Sequence, residues 1–351
     1  MSPRGHLARC GAPALAAVLA TVLALSGTAR AGYENAGTTA ANFLALGSGA
    51  RTLGMAGAGL GLGDDAGGSA WNPAALGWVH GTEVALSHAG LEEHSLQDWG
   101  VVGGRFGRSE TRWALSGLYQ GEGTIAGTDD AGASTGSFSV SSMAFGAMLA
   151  QQLGSRATLG VTAKAVREDI ATFSGSGVTF DAGVMVRAGS FGIGAAAQNV
   201  GGRMSFGGSR YPFPTNVGVG LGFSHPAAGV RVALDANLPS AYHGDLRAGA
   251  EWLFRGALAL RAGYRHELGS PSDPLTGPSF GVGAGHRGMW LDYAYQIPGV
   301  GSGQHRMGLR FRPGAGALGG GPALPAARAP AGDFDRARDG SRLGPRGSGT
   351  P

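Results

Sequence analysis

The chain is poor in the residues that usually carry soluble chemistry. It has one cysteine in 351 residues. Cys10 lies in an N-terminal stretch that reads as a secretory signal: Arg4 and Arg9 precede the apolar run from Ala12 to Leu25, and Ala29-Arg30-Ala31 supplies the small-x-small cleavage pattern. Cleavage there starts the mature chain near Gly32 and leaves it without a thiol, which excludes disulfides, a Cys metal site, a Cys nucleophile and a lipid-modified cysteine. Long apolar runs are also missing. The signal's own run falls short of the roughly 20 residues a spanning helix needs, which makes an uncleaved anchor the lesser alternative, and nothing after it approaches that length. Net charge is small where it matters: residues 32–312 hold 19 basic and 20 acidic residues, while the excess of arginine sits in the signal and after Pro313. That balance gives no electrostatic case for nucleic acid.

Glycine is abundant instead. Its 68 residues, with 17 prolines, argue against a helical globule and for closely approaching backbones and many turns. Four regions follow from composition and pattern: a signal peptide (1–31), a Gly/Ala-rich segment (32–81), a long run of strands (82–312), and a Pro/Gly/Ala/Arg-rich tail (313–351) without apolar periodicity, expected to be disordered in the periplasm.

Over 82–312 apolar residues recur at every second position. Val230, Val232, Leu234, Ala236 and Leu238 oppose Arg231, Ala233, Asp235 and Asn237; Leu246, Ala248, Ala250, Trp252 and Phe254 oppose Asp245, Arg247, Gly249 and Glu251. Val178, Phe180, Ala182, Val184 and Val186 likewise oppose Thr179, Asp181, Gly183, Met185 and Arg187. Such segments of about ten residues suit tilted strands that cross a bilayer. Fourteen are predicted, at 82–89, 97–107, 111–120, 138–152, 157–170, 178–188, 190–199, 214–225, 229–238, 244–254, 257–267, 278–286, 289–297 and 305–312. Alternation alone also fits a soluble sandwich. Three features favour an all-β, antiparallel transmembrane barrel: the signal, aromatics near the ends of apolar faces (Trp99, Trp252, Phe254, Tyr264, Tyr293, Tyr295), and connections that alternate short and long, as in bacterial outer-membrane barrels. An even strand number places both chain ends in the periplasm. The last strand, with His305, Met307, Leu309 and Phe311 opposite Arg306, Gly308, Arg310 and Arg312, is amphipathic and ends in an aromatic, although terminal strands of this kind usually end the chain.

No catalytic constellation stands out, and a non-enzymatic protein without cofactor or metal is expected. Gly132-x-Ser134-x-Gly136 fits a nucleophile-elbow pattern but lacks its strand-turn-helix setting. His88, Glu92, Glu93 and His94 have metal-binding types at a spacing that fits no helical site. Gly218, Gly220 and Gly222 recur with period two, on one face of a strand and not at a phosphate-binding turn.

The segment before the strands is the distinctive one. Phe43-Leu44, Gly47-Ser48-Gly49-Ala50-Arg51, Gly54-Met55-Ala56-Gly57-Ala58, Asp64-Asp65 and Asn72-Pro73-Ala74 follow one another over about 40 residues. This series resembles the N-terminal region of the PorV/PorQ family of outer-membrane proteins, with Ala75 where that family usually has glycine. The family is similar to the FadL long-chain fatty acid transporters, and the resemblance implies a fourteen-stranded barrel with residues 32–81 folded into the lumen as a plug. The plug motif comprises Arg51, Gly54, Met55, Asp64, Asp65, Asn72 and Pro73. Arg51, Asp64 and Asp65 are expected to meet lumen charges such as Asp235, Glu251, Arg261, Arg265 and Arg310, as a structural network or as a site for a ligand headgroup. Asn72 and Pro73 are expected to form a buried turn. Phe43, Leu44, Leu46 and Trp71 are candidates for an apolar ligand site. The expected function is passage of hydrophobic small molecules across the bacterial outer membrane by a single chain in contact with membrane lipid. The alternative is a type IX secretion accessory that binds exported proteins.

Overall fold

Strict two-residue alternation has a definite outcome here. In the computed structural model, which describes residues 37–91, 95–269 and 276–313, the predicted strands close into an antiparallel barrel. Sixteen strands form among the described residues: β1 (Glu83–Gly90), β2 (Leu96–Arg105), β3 (Thr111–Thr128), β4 (Ser134–Leu153), β5 (Ala157–Ile170), β6 (Phe173–Ala188), β7 (Phe191–Val200), β8 (Met204–Phe206), β9 (Ser209–Tyr211), β10 (Asn216–His225), β11 (Val230–Pro239), β12 (Asp245–Phe254), β13 (Leu258–Glu267), β14 (Gly277–His286), β15 (Met289–Gln296) and β16 (Gln304–Phe311). Strands β8 and β9 make a small hairpin in the connection between β7 and β10. The other fourteen pair with their neighbours in sequence, and β1 pairs with β16 from Val84–Phe311 to Gly90–His305, closing the ring.

The two faces of the wall are inverted relative to a soluble sandwich. Leu86, Phe145, Val161, Ile193, Leu221, Leu234, Trp252, Leu260, Val282, Leu291 and Met307 point outward and are exposed, while Glu83, Gln97, Asp235, Asp245, Glu251, Arg261, Asp292 and Arg310 point inward and are buried. An apolar band of this size is stable only against lipid. Among the described residues no helix is long and apolar enough to cross a membrane; the strands are the spanning elements. Trp252, Phe254 and Tyr264 stand on the outer face as expected, but Trp99 does not. It shares the inward parity of Gln97 and Val101 and packs in a lumenal cluster with Leu76, Val79 and Met148, because β2 carries apolar residues on both faces.

Connections also differ from expectation. The stretch from Gly121 to Gly136, read as a long loop, is mostly strand: β3 and β4 continue past the barrel as a hairpin whose register shifts between Gly121 and Thr124 and which turns at Asp129–Ala133. Strand β6 starts at Phe173 rather than 178, so β5 and β6 are joined by only two residues. At one end the connections remain uniformly short; the other end holds the β3–β4 hairpin, the β7–β10 connection and the segment between β13 and β14.

Residues 37–82 run through the ring, with 41–79 largely buried inside it. They touch inward-facing groups of strands on opposite sides of the closed barrel, from Thr158 of β5 and Asp235 of β11 to Arg310 of β16. The backbone of the segment reaches the backbone of the wall because the strands present glycine there. A side chain at Gly160 would run into the Pro73 carbonyl, one at Gly183 into the Asn72 amide, and one at Gly194 into the Leu60 carbonyl. The segment enters at the mouth bearing the longer connections, where the Ala40 N–H donates to Pro212 O (3.0 Å) and the Ala41 N–H to Glu168 (3.3 Å). It leaves at the short-turn end through Gly81 into β1. The first described residues therefore stand at the opposite mouth from the end of β16, while the chain ends themselves, expected together in the periplasm, lie outside the described residues. Strand parity places residues 82 and 312 together but has no hold on a chain that runs back through the lumen. The proposed signal, residues 32–36 and the tail from 314 lie outside the described residues.

Candidate functional site

The lower lumen, near the short turns, is filled by a charged hub. Arg51 sits on a single helical turn (Ala50–Leu53) and its guanidinium bridges wall and segment. It donates through Nε to Glu251 Oε2 (3.0 Å), through Nη2 to Glu251 Oε1 (2.9 Å), and through Nη1 to Asp64 (2.8 Å) and Asp65 (2.5 Å). Arg231 joins Asp64 (3.0 Å) and Glu251 (3.2 Å); Arg261 joins Glu251 (2.7 Å) and Asp292 (2.8 Å); Arg310 joins Asp65 (3.1 Å) and Asp292 (2.8 Å). Four guanidinium groups thus face four carboxylates, all buried. Burial pushes the Asp64 and Asp65 carboxyls up, but the surrounding arginines, Arg231 and Arg51 for Asp64, Arg51 and Arg310 for Asp65, outweigh it and hold both below the usual carboxylate range. A buried network of this kind fixes geometry more than it adds net stability, since desolvation offsets much of the attraction.

On the β5–β7 side of the wall, at the level of the hub, the Asn-Pro turn also anchors the segment. Asn72 caps the 3-10 turn Pro73–Trp78, its Oδ1 accepting from Ala74 N (3.0 Å), while Nδ2 donates to Leu60 O (3.0 Å) and to Val184 O of β6 (3.2 Å). Pro73 costs no donor at the first position of such a turn. Asp235 of β11 accepts from the Gly59 (2.7 Å) and Leu60 (3.0 Å) amides. Met55 lies against Gly249 and Gly263, and Gly54 against Gly281, where a Cβ would come within 3.1 Å of the opposing Cα.

The upper lumen is different. A cavity of about 100 Å³ lies between the segment and the wall, lined by Leu44, Leu46 and Trp71 from the segment and by groups of β2–β7 and β10–β13. Trp71 is held by Nε1 donating to Ser48 O (2.9 Å), with Arg247 over its ring at 5.4 Å. The wall charges here are paired: Lys164 with Asp181 (2.8 Å) and Asn199 (2.6 Å), and Asp245 with Arg247 (2.6 Å) and Arg265 (2.9 Å).

Of the candidate ligand residues, Leu44, Leu46 and Trp71 meet at this cavity. Phe43 does not: it packs against Ala144, Val166, Met204 and Phe213, since consecutive residues of a 3-10 turn point to different sides. Arg51, Asp64 and Asp65 meet Glu251 and Arg310 as expected, whereas Asp235 takes backbone amides and Arg265 pairs with Asp245. Arg231 and Asp292 were not among the lumen charges named from the sequence, though the alternation over 230–238 put Arg231 on the polar face. Gly132 to Gly136 lies at the tip of the projecting hairpin and in the start of β4. His88 faces outward and pairs with Asp98 (2.7 Å), while Glu92, Glu93 and His94 lie outside the described residues.

No family model and no curated protein matches the sequence. Solved structures do match. The Ralstonia pickettii toluene transporter TbuX aligns with a TM-score of 0.56 at 14% identity, over 76% of this chain and 98% of that one. The fold is that of the FadL-type outer-membrane barrels. A Pseudomonas aeruginosa FadL homologue (TM-score 0.54, 10% identity, 75% of this chain and 98% of that one) and the CymD monoaromatic hydrocarbon channel (0.53, 14%, 76% and 97%) agree. At these identities the likeness to FadL-type barrels speaks for architecture, and function has to be argued from the lumen.

Proposed function

We propose that the protein is a passage for small hydrophobic molecules across the bacterial outer membrane, with residues 37–82 as its plug and no enzymatic role. The long-connection mouth faces outside and the short turns face the periplasm. The observation that carries this reading is the vertical division of the lumen, an upper cavity floored by Leu44, Leu46 and Trp71 above a hub that blocks the lower half. The likeness to TbuX, a toluene transporter, and to CymD, a monoaromatic hydrocarbon channel, supports such a role. The test is initial uptake of labelled toluene by cells whose outer membrane carries the full chain. Uptake should exceed that of cells lacking it, and equal rates would remove the reading.

A second reading, a PorV/PorQ-type accessory of type IX secretion, is supported by the motif series from Phe43 to Ala74 and by the exposed β3–β4 hairpin, which projects beyond the barrel. It requires exported proteins to co-purify with the chain from its native membrane.

A further inference from the structure

Of the 27 lysines and arginines in the chain, one is a lysine, Lys164. It stands on β5 with its side chain turned into the lumen, where it lines the upper cavity. Its ammonium meets Asp181 Oδ1 of β6 (2.8 Å) and Asn199 Oδ1 of β7 (2.6 Å). Both acceptors are held in place by the wall: Asp181 Oδ1 also accepts from the Asn199 N–H (2.8 Å), and Asn199 Nδ2 donates to Pro214 O (3.1 Å). The lysine side chain is 16% exposed against 6% for that of Asp181, so the lysine is the member of the pair that borders open space. An ammonium carries three donors, and the third has no acceptor among the described residues. On its β4 side Lys164 is paired in register with Gly146, whose missing side chain leaves the flank of the lysine uncovered. Ala144 and Met148, two places to either side of Gly146, continue that flank toward Leu118 of β3 and Trp99 of β2, an arc of the cavity that is apolar but for Ser116.

We propose that this cavity binds a small, neutral aromatic molecule bearing a carbonyl oxygen, with that oxygen accepting the third Lys164 N–H and the ring against Leu118, Ala144 and Met148. This rests on the passage reading above and narrows its cargo from hydrocarbons to aromatic ketones and esters. The anchor is a single atom on the strand next to the apolar arc, so a ring and its carbonyl meet both without crossing the lumen. The charge of Lys164 is balanced by Asp181. An uncharged acceptor therefore completes the group, whereas a carboxylate would set a second anion beside Asp181 in a site of low dielectric. A plain hydrocarbon takes water from the ammonium and gives no hydrogen bond in return, which weighs against it. Size points the same way. The cavity of about 100 Å³ is of the order of the roughly 150 Å³ that holds one benzene ring in a dry protein core, so it suits one ring and no long chain.

The experiment titrates three probes by ¹⁹F NMR into the full chain in non-ionic detergent micelles, with affinities corrected for partition into protein-free micelles. The probes are 4-fluoroacetophenone, 4-fluoro-α-methylstyrene, in which a CH₂ group replaces the oxygen at the same shape, and 4-fluorobenzoate. The ketone should bind tighter than the alkene by about tenfold or more, the worth of one hydrogen bond to a charged group, and tighter than the benzoate. A second readout uses the rarity of lysine: the chain labelled with ¹⁵N at lysine Nζ gives one signal, which should move on adding the ketone and stay in place on adding the alkene. Lys164→Met combined with Asp181→Asn removes both charges together and should bring the ketone and alkene within about twofold of each other. Where that variant fails to fold, the wild-type affinities and the lysine signal decide. Equal affinities for ketone and alkene, tighter binding of the benzoate, no binding by any probe, a lysine signal unmoved by the ketone, or a preference that survives the double variant would overturn the proposal. The toluene-uptake test does not depend on this outcome. Uptake with equal probe affinities sinks the carbonyl preference alone, and ketone binding without any uptake sinks the passage reading alone.

Discussion

The lower and upper halves of the lumen are built from the same strands and the same alternation, yet they solve opposite problems. Below, Arg51, Asp64 and Asp65 of the inner segment interlock with Arg231, Glu251, Arg261, Asp292 and Arg310, and each charge has more than one partner. Above, Lys164 and Asp181, and Asp245 with Arg247 and Arg265, close ion pairs within the wall, and the segment offers Leu44, Leu46 and Trp71. Charge that crosses from segment to wall fastens the segment; charge that closes within the wall leaves room beside it.

Removing the most shared partner should break this contrast hardest. Glu251→Ala leaves Arg51, Arg231 and Arg261 short of a carboxylate, a loss of about 3–5 kcal/mol for a buried ion-pair partner. Thermal unfolding in detergent should register it, and protease should cut between residues 37 and 82; an unchanged melting temperature would show the hub to be slack. Gly183→Val comes next. Its side chain would occupy the place of the Asn72 amide, an overpacking worth about 1–3 kcal/mol, and because the strand itself is unaffected the loss should appear as segment release before barrel melting. Asn72→Ala with Pro73→Ala should cost about 1–3 kcal/mol through the stranded Leu60 and Val184 carbonyls and the lost cap. Full protease resistance of the double variant would mean that the turn is not an anchor.

Acid should loosen the hub. The Asp64 and Asp65 carboxyls sit below their ordinary value near 3.8, so their contribution is complete above that value and is lost only as pH falls through the lower folded values. Protease access to residues 37–82 should therefore stay flat from neutral pH down to about 4 and rise below it; a rise around pH 6 would contradict the assignment. The smallest effect is expected above. Leu46→Ala removes a side chain that is only partly buried, with a stability change of about 1 kcal/mol or less, yet it borders the cavity and should weaken binding of small aromatics measured by NMR titration.

Much of the wall was legible because lipid and lumen impose opposite preferences on alternate residues, and the pattern of Leu246, Ala248, Ala250 and Trp252 against Arg247 and Glu251 records both. Where only one solvent acts, the signal vanishes. From Gly121 to Gly136 the hairpin is wet on both faces, so Gly, Ser, Thr and Asp carry no alternation and read as loop. In the lumen, Arg51 and the two aspartates were visible as motif residues, but their partners were only partly so. Arg51 meets Glu251 across 200 residues and Asp65 meets Arg310 across 245, pairings set by strand register and by the path of the segment. Trp99 shows the same limit on a smaller scale: in Leu96–Arg105 both parities are apolar, and only the pairing with β1 and β3 decides which one faces inward.

The continuity of Gly81 with β1 gives the inner segment a property that a separate stopper would lack. Were the hub to open, the segment would remain on a leash fixed to the wall at one end. Such a tether holds it at an effective local concentration in the millimolar range, so that refastening is unimolecular and indifferent to how many copies of the protein the membrane holds.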